Sequence, residues 1–494
     1  MEKNTTNPIQ HLSPTPTDEQ SKGGKDEDIW TSANDEVFAY LSAAIGELSN
    51  KGHCDIMSFP EQKKVSLEES DGLTRQFLDS MARILAPTKD WRVSWKHVTA
   101  TALQERPSKL NVHIAKNDGF DRRCIIIIKA LQQFLREDPD QEVSESSFED
   151  FPAWIAVVEY NIPRLEHYIQ ELFEGTCDKF LKELNMQSHG SPGLEPKTPS
   201  KPCNPQSAFF ACLRSFVVRL GEVRTQIVSR PGLRKTVASR QDPLYSILYQ
   251  ADRLSSTYRG QLQCLKRKMI SMPWTHHIFT AIERLSWLPR AFYNLDSFRR
   301  LHREKESKLE PLKNSPRKPT CISYKKLATV ARIDLESPSL SPHKKLDDHI
   351  REWVKKEGGF RRSTHCEMQL YEFLYRKSPA DRSGIYRYIG TSKSPCWLCW
   401  HFLRLGWNED ALTNKKEGPF AFETQPSHCK LYGNSRAPDV DLTPRQIRVL
   451  RTMTRKMREL LYQTFSSGRF TTNRHQNTRP DTPSLSPAPQ SGHC

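Results

Sequence analysis

Apolar positions along this chain recur mostly at helical spacing. Phe38, Leu41, Ile45 and Leu48 fall on one face of a helix, as do Phe77, Met81 and Leu85. Trp154, Val157, Ile162, Leu165, Ile169 and Phe173 predict longer helices before Leu184. Phe210, Leu213, Val217 and Leu220, then Ile278, Ile282 and Trp287, predict a second helical block that ends near Leu301. The run 125–134 is mixed, and either a helix or a buried strand fits it. These stripes read most simply as core positions.

Polar and proline-rich stretches divide the pattern. Residues 1–28 read as a disordered tail, 30–186 as a mainly helical region, and 187–206 as a linker containing Ser191-Pro192-Gly193. A helical region at 207–302 and a second linker at 303–320 follow. The last folded segment is 321–465, and 466–494 is again a disordered tail. Within 321–465 the period shortens. Residues 321–324 and 327–331 are expected to supply the first strands, and 385–390 a further strand rich in β-branched and aromatic residues. Residues 419–432 read as a hairpin turning at Gln425-Pro426-Ser427. A closing helix capped by Thr443 carries an apolar stripe of Ile447, Leu450, Met457, Leu460 and Leu461. Its outer face is basic, with Arg445, Arg448, Arg451, Arg455, Lys456 and Arg458.

Composition narrows this picture in three ways. A chain of 494 residues exceeds one core, which stops growing near roughly 250–300 residues, so two or three folded units are expected. Lysine and arginine number 74 against 58 acidic residues, a surplus of +16. That surplus suits polyanionic partners such as nucleic acid or nucleotides, and equally a plain solvated basic surface. The start lacks a signal-peptide core, and the apolar run Cys124–Ile128 is too short to span a bilayer. The expectation is a soluble protein of the cytoplasm or nucleus, not secreted and without membrane partners. Only one pair of the 12 cysteines stands at close metal-ligand spacing, which suits reduced thiols rather than a disulfide framework.

That pair belongs to the one constellation with chemical content. Thr364-His365-Cys366-Glu367 opens a helical pattern, a predicted strand follows, and Ser394-Pro395-Cys396-Trp397-Leu398-Cys399 opens a second helix that stops at Gly406. Ser394 is expected as its N-cap and Pro395 as its first residue. Cys396 and Cys399, three apart, reach the same side of one turn, and a helix N-terminus favours their thiolate forms. His365 would supply a third ligand from the facing helix start, leaving the fourth position of a catalytic zinc to water. Glu367 would then carry a proton from that water to a leaving amine. The pairing of H-x-E with P-C-x-x-C is the zinc-deaminase signature.

On these motifs the segment 321–465 resembles the cytidine-deaminase-like superfamily, and most closely its fungal OTT-like deaminase branch. Ile389-Gly390-Thr391-Ser392-Lys393 and Ser427-His428-Cys429-Lys430-Leu431-Tyr432 are also similar to that branch, which usually has Gly where Cys429 stands. The resemblance implies an α/β fold in the C-terminal part, a three-layer mixed sheet with helices on both faces, preceded by the mainly helical region. It implies Zn2+ held by His365, Cys396 and Cys399, Glu367 as proton shuttle, and a nucleobase-containing substrate: a nucleotide, RNA or single-stranded DNA.

Other readings of the same residues stay open at this point. His428 or Cys429 would close the zinc site with a fourth protein ligand and make it structural. Cys396 and Cys399 could also serve as a redox pair, a reading that leaves His365 and Glu367 without a role, and Thr364 with Glu367 as a capping box. His401 lies two past Cys399 and reads as non-ligating, Cys366 as a buried small residue, and Trp397 and Trp400 as packing. The large N-terminal region would suit an inactive deaminase fold used as a binding module in a fungal defence or recognition protein.

Overall fold

The computed structural model describes residues 69–88, 97–138, 150–172, 175–189, 205–229, 243–269, 272–312, 320–322, 360–362, 364–382, 384–408, 422–427 and 444–466, and part of a helix within 34–45. Helix α1 (Glu69–Ile84) precedes a hairpin of β1 (Thr99–Arg106) and β2 (Lys109–Lys116). Eight helices follow: α2 (Arg122–Phe134), α3 (Pro152–Gln170), α4 (Thr176–His189), α5 (Pro205–Ser229), α6 (Pro243–Ser255), α7 (Arg259–Lys268), α8 (Pro273–Leu285) and α9 (Trp287–Leu301). The chain then forms β3 (Glu306–Pro311), β4 (Thr320–Ile322), β5 (Phe360–Arg362), α10 (Cys366–Tyr375), α11 (Pro379–Arg382), β6 (Ile385–Thr391), α12 (Trp397–Asn408), β7 (Glu423–Thr424) and α13 (Pro444–Ser466).

One mixed sheet organises these elements, in the order β3-β2-β1-β6-β7. β1 pairs antiparallel with both β2 and β6, whereas β3 runs parallel to β2 and β7 parallel to β6. The pleat sends alternate side chains to opposite faces. Leu103, Leu110, Val112, Ile114 and Tyr388 join a core with α1 and the helices α2–α9. Ala100, Ala102, Ala115, Ile385 and Ile389 face the other way, into a core with α10, α12, α13 and Phe38, Leu41 and Ile45. The result is a three-layer α/β fold with helices on both faces. Among the described residues, no helix is long and apolar enough to cross a membrane.

The sheet corrects the expected layout. Its central strands β1 and β2 come from the stretch expected to be mainly helical, and β3 lies inside the expected linker at 303–320. Of the strands expected at 321–331, only Thr320–Ile322 is seen as a strand, and it pairs with Phe360–Arg362 in a separate two-stranded sheet; 323–331 lie outside the described residues. The physical reason is that strand pairing follows backbone hydrogen bonds, not proximity along the chain. The helices α2–α9 stand between β2 and β3 as a crossover, the kind of connection that parallel strands require. The ambiguous run at 125–134 is helical, because Asp121 caps it by accepting from Cys124 N at 2.6 Å. Of the expected hairpin at 419–432, Glu423–Thr424 forms β7; Cys429–Tyr432 lie outside the described residues, as does Thr443.

The crossover is tied to the sheet at the end of α1. A helix end leaves carbonyls without a following turn. Here Arg164 Nη1 donates to Arg83 O at 3.0 Å and to Ala86 O at 2.9 Å. Asn161 Nδ2 donates to Ile84 O at 3.1 Å. Thr99 Oγ1 and Tyr160 Oη donate to Leu85 O at 3.2 and 3.4 Å. Arg164 is almost fully buried, and its guanidinium lies 4.4 Å from the centre of the Trp287 ring. Three residues of one turn of α3 thus seal the end of α1.

On the sheet itself, α1 lies against β6 at backbone distance. A Cβ added at Gly390 would stand 2.5 Å from Leu78 C and 2.7 Å from Leu78 O. Neither backbone can yield alone, so Gly390→Ala is expected to lower stability by about 1–3 kcal/mol, the usual range for overpacking; urea unfolding of the full chain reads this directly. Further along α1, Asp79 accepts from Tyr388 Oη at 2.8 Å and from Thr391 N at 3.1 Å. Burial pushes its pKa up to about 6, against hydrogen bonds from Gln425, Tyr388 and Thr391 and the charge of Arg83 that pull it down. A carboxyl raised in the folded chain contributes stability that is complete below its ordinary pKa near 4 and is lost as pH rises through about 6. Unfolding of Asp79→Asn beside the parent across that window should show a flatter pH dependence for the variant.

Candidate metal centre

The candidate site is built where two helices begin. α10 starts after His365, whose carbonyl accepts Gln369 N at 2.9 Å and whose backbone is extended, at φ −64° and ψ 152°. His365 is therefore the N-cap, and its side chain leaves the helix on a different course from a helical residue. This is why a histidine and a glutamate two apart can serve one point, although a regular helix would separate them.

α12 starts in the same manner. Cys396 O accepts Trp400 N at 3.0 Å, and Cys396 Sγ accepts Cys399 N at 3.4 Å. The sulfur does the work of an N-cap side chain, so the expected cap at Ser394 and first helical residue at Pro395 are corrected. The turn begins two residues later, at Trp397, and runs through Gly406 to Asn408. Ser427 Oγ holds Pro395 O at 3.0 Å, outside the helix.

These two helix starts meet. His365 Nδ1 lies 3.5 Å from Cys396 Sγ and 3.3 Å from Cys399 Sγ, and the three atoms fall within 4.8 Å of one another. Ligands bound at about 2.0–2.3 Å around a tetrahedral zinc stand about 3.5 Å apart. One imidazole and two sulfurs at that separation fit zinc in both chemistry and spacing. All three residues are buried, as is Glu367.

Electrostatics favour one charged pair within the cluster, His365 with Cys396. Burial opposes charge on the His365 imidazole, but the sulfur of Cys396 beside it prevails and raises the pKa to about 9. Burial likewise opposes a thiolate at Cys396, yet the Cys399 thiol and the imidazole hold it well below the usual thiol range. The hydrogen bond to Cys396, together with burial, pushes Cys399 well up. Burial and the nearby Cys396 sulfur raise Glu367, against the pull of His365. Its Oε2 accepts from Cys366 Sγ at 3.4 Å, and no bond to Thr364 N–H is seen among the described residues, so the capping box is not closed. His401 lies between Trp397 and Trp400, with ring centres 4.3 and 5.0 Å away. His428 and Cys429, the residues that would complete a four-ligand site, lie outside the described residues.

Residues 364–439 match the family model for OTT_1508_deam-like deaminases. This segment is a domain of a cytidine-deaminase-like family. No curated protein and no solved structure matches the chain. The matched residues carry α10, α11, β6, α12 and β7, whereas β1, β2 and α1, against which the deaminase segment is built, end at least 248 residues before them in the chain.

One supporting residue from that distant part escaped the sequence. Asn117, directly after β2, accepts Cys366 N at 2.7 Å through Oδ1, and its own N–H donates to Val98 O at 3.1 Å. It occupies one of the donors that a helix start leaves unpaired and so fixes where α10 begins. Asn117→Ala is expected to cost about 1–3 kcal/mol, the usual penalty for a buried donor left unpaired, and to weaken zinc retention. Thermal unfolding with metal content after dialysis against a mild chelator would check both.

Proposed function

We propose that the chain is a zinc-dependent hydrolase that removes the amino group of a nucleobase in a nucleotide or nucleic acid. The single observation that carries this reading is the meeting of His365 Nδ1 with the two cysteine sulfurs at tetrahedral spacing, with the Glu367 carboxylate buried beside them. The deaminase family match supports it.

Zinc held by His365, Cys396 and Cys399 would supply a water acidified to a pKa near 7. Glu367 takes a proton at its carboxylate and returns it to the departing amine, so that an amidine carbon gains a carbonyl oxygen and ammonia leaves. A carboxyl whose pKa is raised by burial suits both halves of that exchange, because its carboxylate takes a proton more readily than an exposed one and still yields it to the more basic amine. Cys366, by donating to Oε2, holds the carboxylate in one orientation. His365 and Cys396 are placed by the caps that begin their helices and Cys399 by the first turn of its own, so the ligand set costs little rearrangement when metal enters.

Glu367→Gln is expected to keep the fold and zinc while lowering turnover by about 10²–10⁴-fold, the usual contribution of a positioned general acid–base. Mass spectrometry of bases after incubation with nucleosides, RNA and single-stranded DNA measures turnover, and elemental analysis measures zinc. Full activity in the variant, or loss of its zinc, overturns the proton-shuttle role. A parent protein that holds zinc yet converts no base would make the domain a binding module instead.

A further inference from the structure

The closing helix α13 carries two stripes. Ile447, Leu450, Met453 and Met457 are buried, and the last three share one packed core with Cys396, the cap of α12, and with Trp397 and Cys399 within it. The second stripe is basic. Arg448, Arg451, Arg455 and Arg458 each follow a buried residue by one position, which places them at i, i+3, i+7 and i+10 along a single face. One residue turns a helix by about 100°, so the arginines form a separate flank beside the buried stripe that packs α13 into the same core as α12. Arg448, Arg455 and Arg458 are exposed, and Arg451 is half-buried. Ten residues of helix carry this row over about 15 Å. Within Pro444–Ser466 the only acidic residue is Glu459, whose carboxylate stands 3.9 Å from Arg455 on the exposed side, a pairing that neutralises little; Arg451 and Arg458 each have a partner of their own.

The metal-site residues are buried, each less than a tenth exposed. A base reaches such a site only when it is out of a duplex stack. A row of guanidinium groups beside the helix that holds two of the metal-site sulfurs matches what a phosphodiester backbone needs, and bidentate recognition of phosphate is the strength of arginine. A free nucleoside would gain nothing from a row of this length.

We propose that α13 is a phosphate track, and that the substrate of the neighbouring site is single-stranded nucleic acid rather than a free nucleoside or nucleotide. This rests on the reading of the site as a base deaminase. The track binds backbone without regard to sequence, and the sugar, ribose or deoxyribose, is read elsewhere.

The test uses the full chain and fluorescence anisotropy with labelled single-stranded RNA and DNA oligonucleotides of mixed sequence over a salt series. Each phosphate contact contributes about 0.7 to the slope of log affinity against log salt for single strands. The double variant R448E/R455E is expected to weaken binding at least about tenfold and to reduce that slope by about 1.4, with an unchanged circular dichroism spectrum. R267E/K268E reverses two exposed charges on α7, a helix that packs in the core on the other face of the sheet, and should change neither value. Equal losses in both double variants, or no loss in the α13 variant, overturn the track. Binding is read without turnover, so failures separate. A chain that binds through α13 and deaminates nothing keeps the track and overturns the catalytic reading. One that deaminates free nucleosides as fast as the strand, with and without the arginines, overturns the polymer substrate and keeps the catalytic reading.

Discussion

Everything at the candidate centre depends on the geometry of a helix start. Inside a helix, residues two apart point to opposite sides. At the N-cap the backbone is still extended, and a side chain there can reach the space ahead of the helix axis. His365 and Cys396 both occupy that position, and each gives its carbonyl to the first helical bond while its side chain meets the other. The N–H groups of the two first turns, one of them answered by the Cys396 sulfur and another by Asn117, add a field that favours the charged form of the Cys396 sulfur.

The same residues explain what could be read from the chain alone. His365, Glu367, Cys396 and Cys399 stood out because their chemistry is local: short spacings, a strand between two helix starts, and a proline before the first cysteine. The cap was misplaced by two residues, because Ser394 and Pro395 satisfy general helix-start preferences and a sulfur is an uncommon cap. β1 and β2 were missed for a different reason. Leu110, Val112 and Ile114 do alternate with polar or small residues, but the run is short and the helical stripes on either side dominate the pattern. Asn117 had no local signal, since its partner Cys366 lies 249 residues away.

The helical region now has a definite relation to the sheet. It enters after β2 and returns as β3 beside β2, and through α3 it seals the carbonyls at the end of α1. α1 in turn approaches β6 so closely that only glycine fits at position 390. Packing therefore runs without a break from Arg164 to the strand that leads into Cys396. The deaminase segment is not a bead joined by a linker to a helical neighbour; its sheet is completed by chain on both sides of that neighbour.

The pairing of β1 with β6 also sets an order in time. Thr99 N meets Ser392 Oγ across 293 residues of chain. At roughly 5–20 residues per second of synthesis, the hairpin of β1 and β2 leaves the ribosome about 15–60 s before its partner exists. During that interval β1 presents an open edge of Thr and Ala residues, and α1 lacks the strand that accepts it. The helices α2–α9, rich in local contacts, can form within the delay. Those helices pack against the hairpin from one face, so that face of the sheet can be covered before β6 is made.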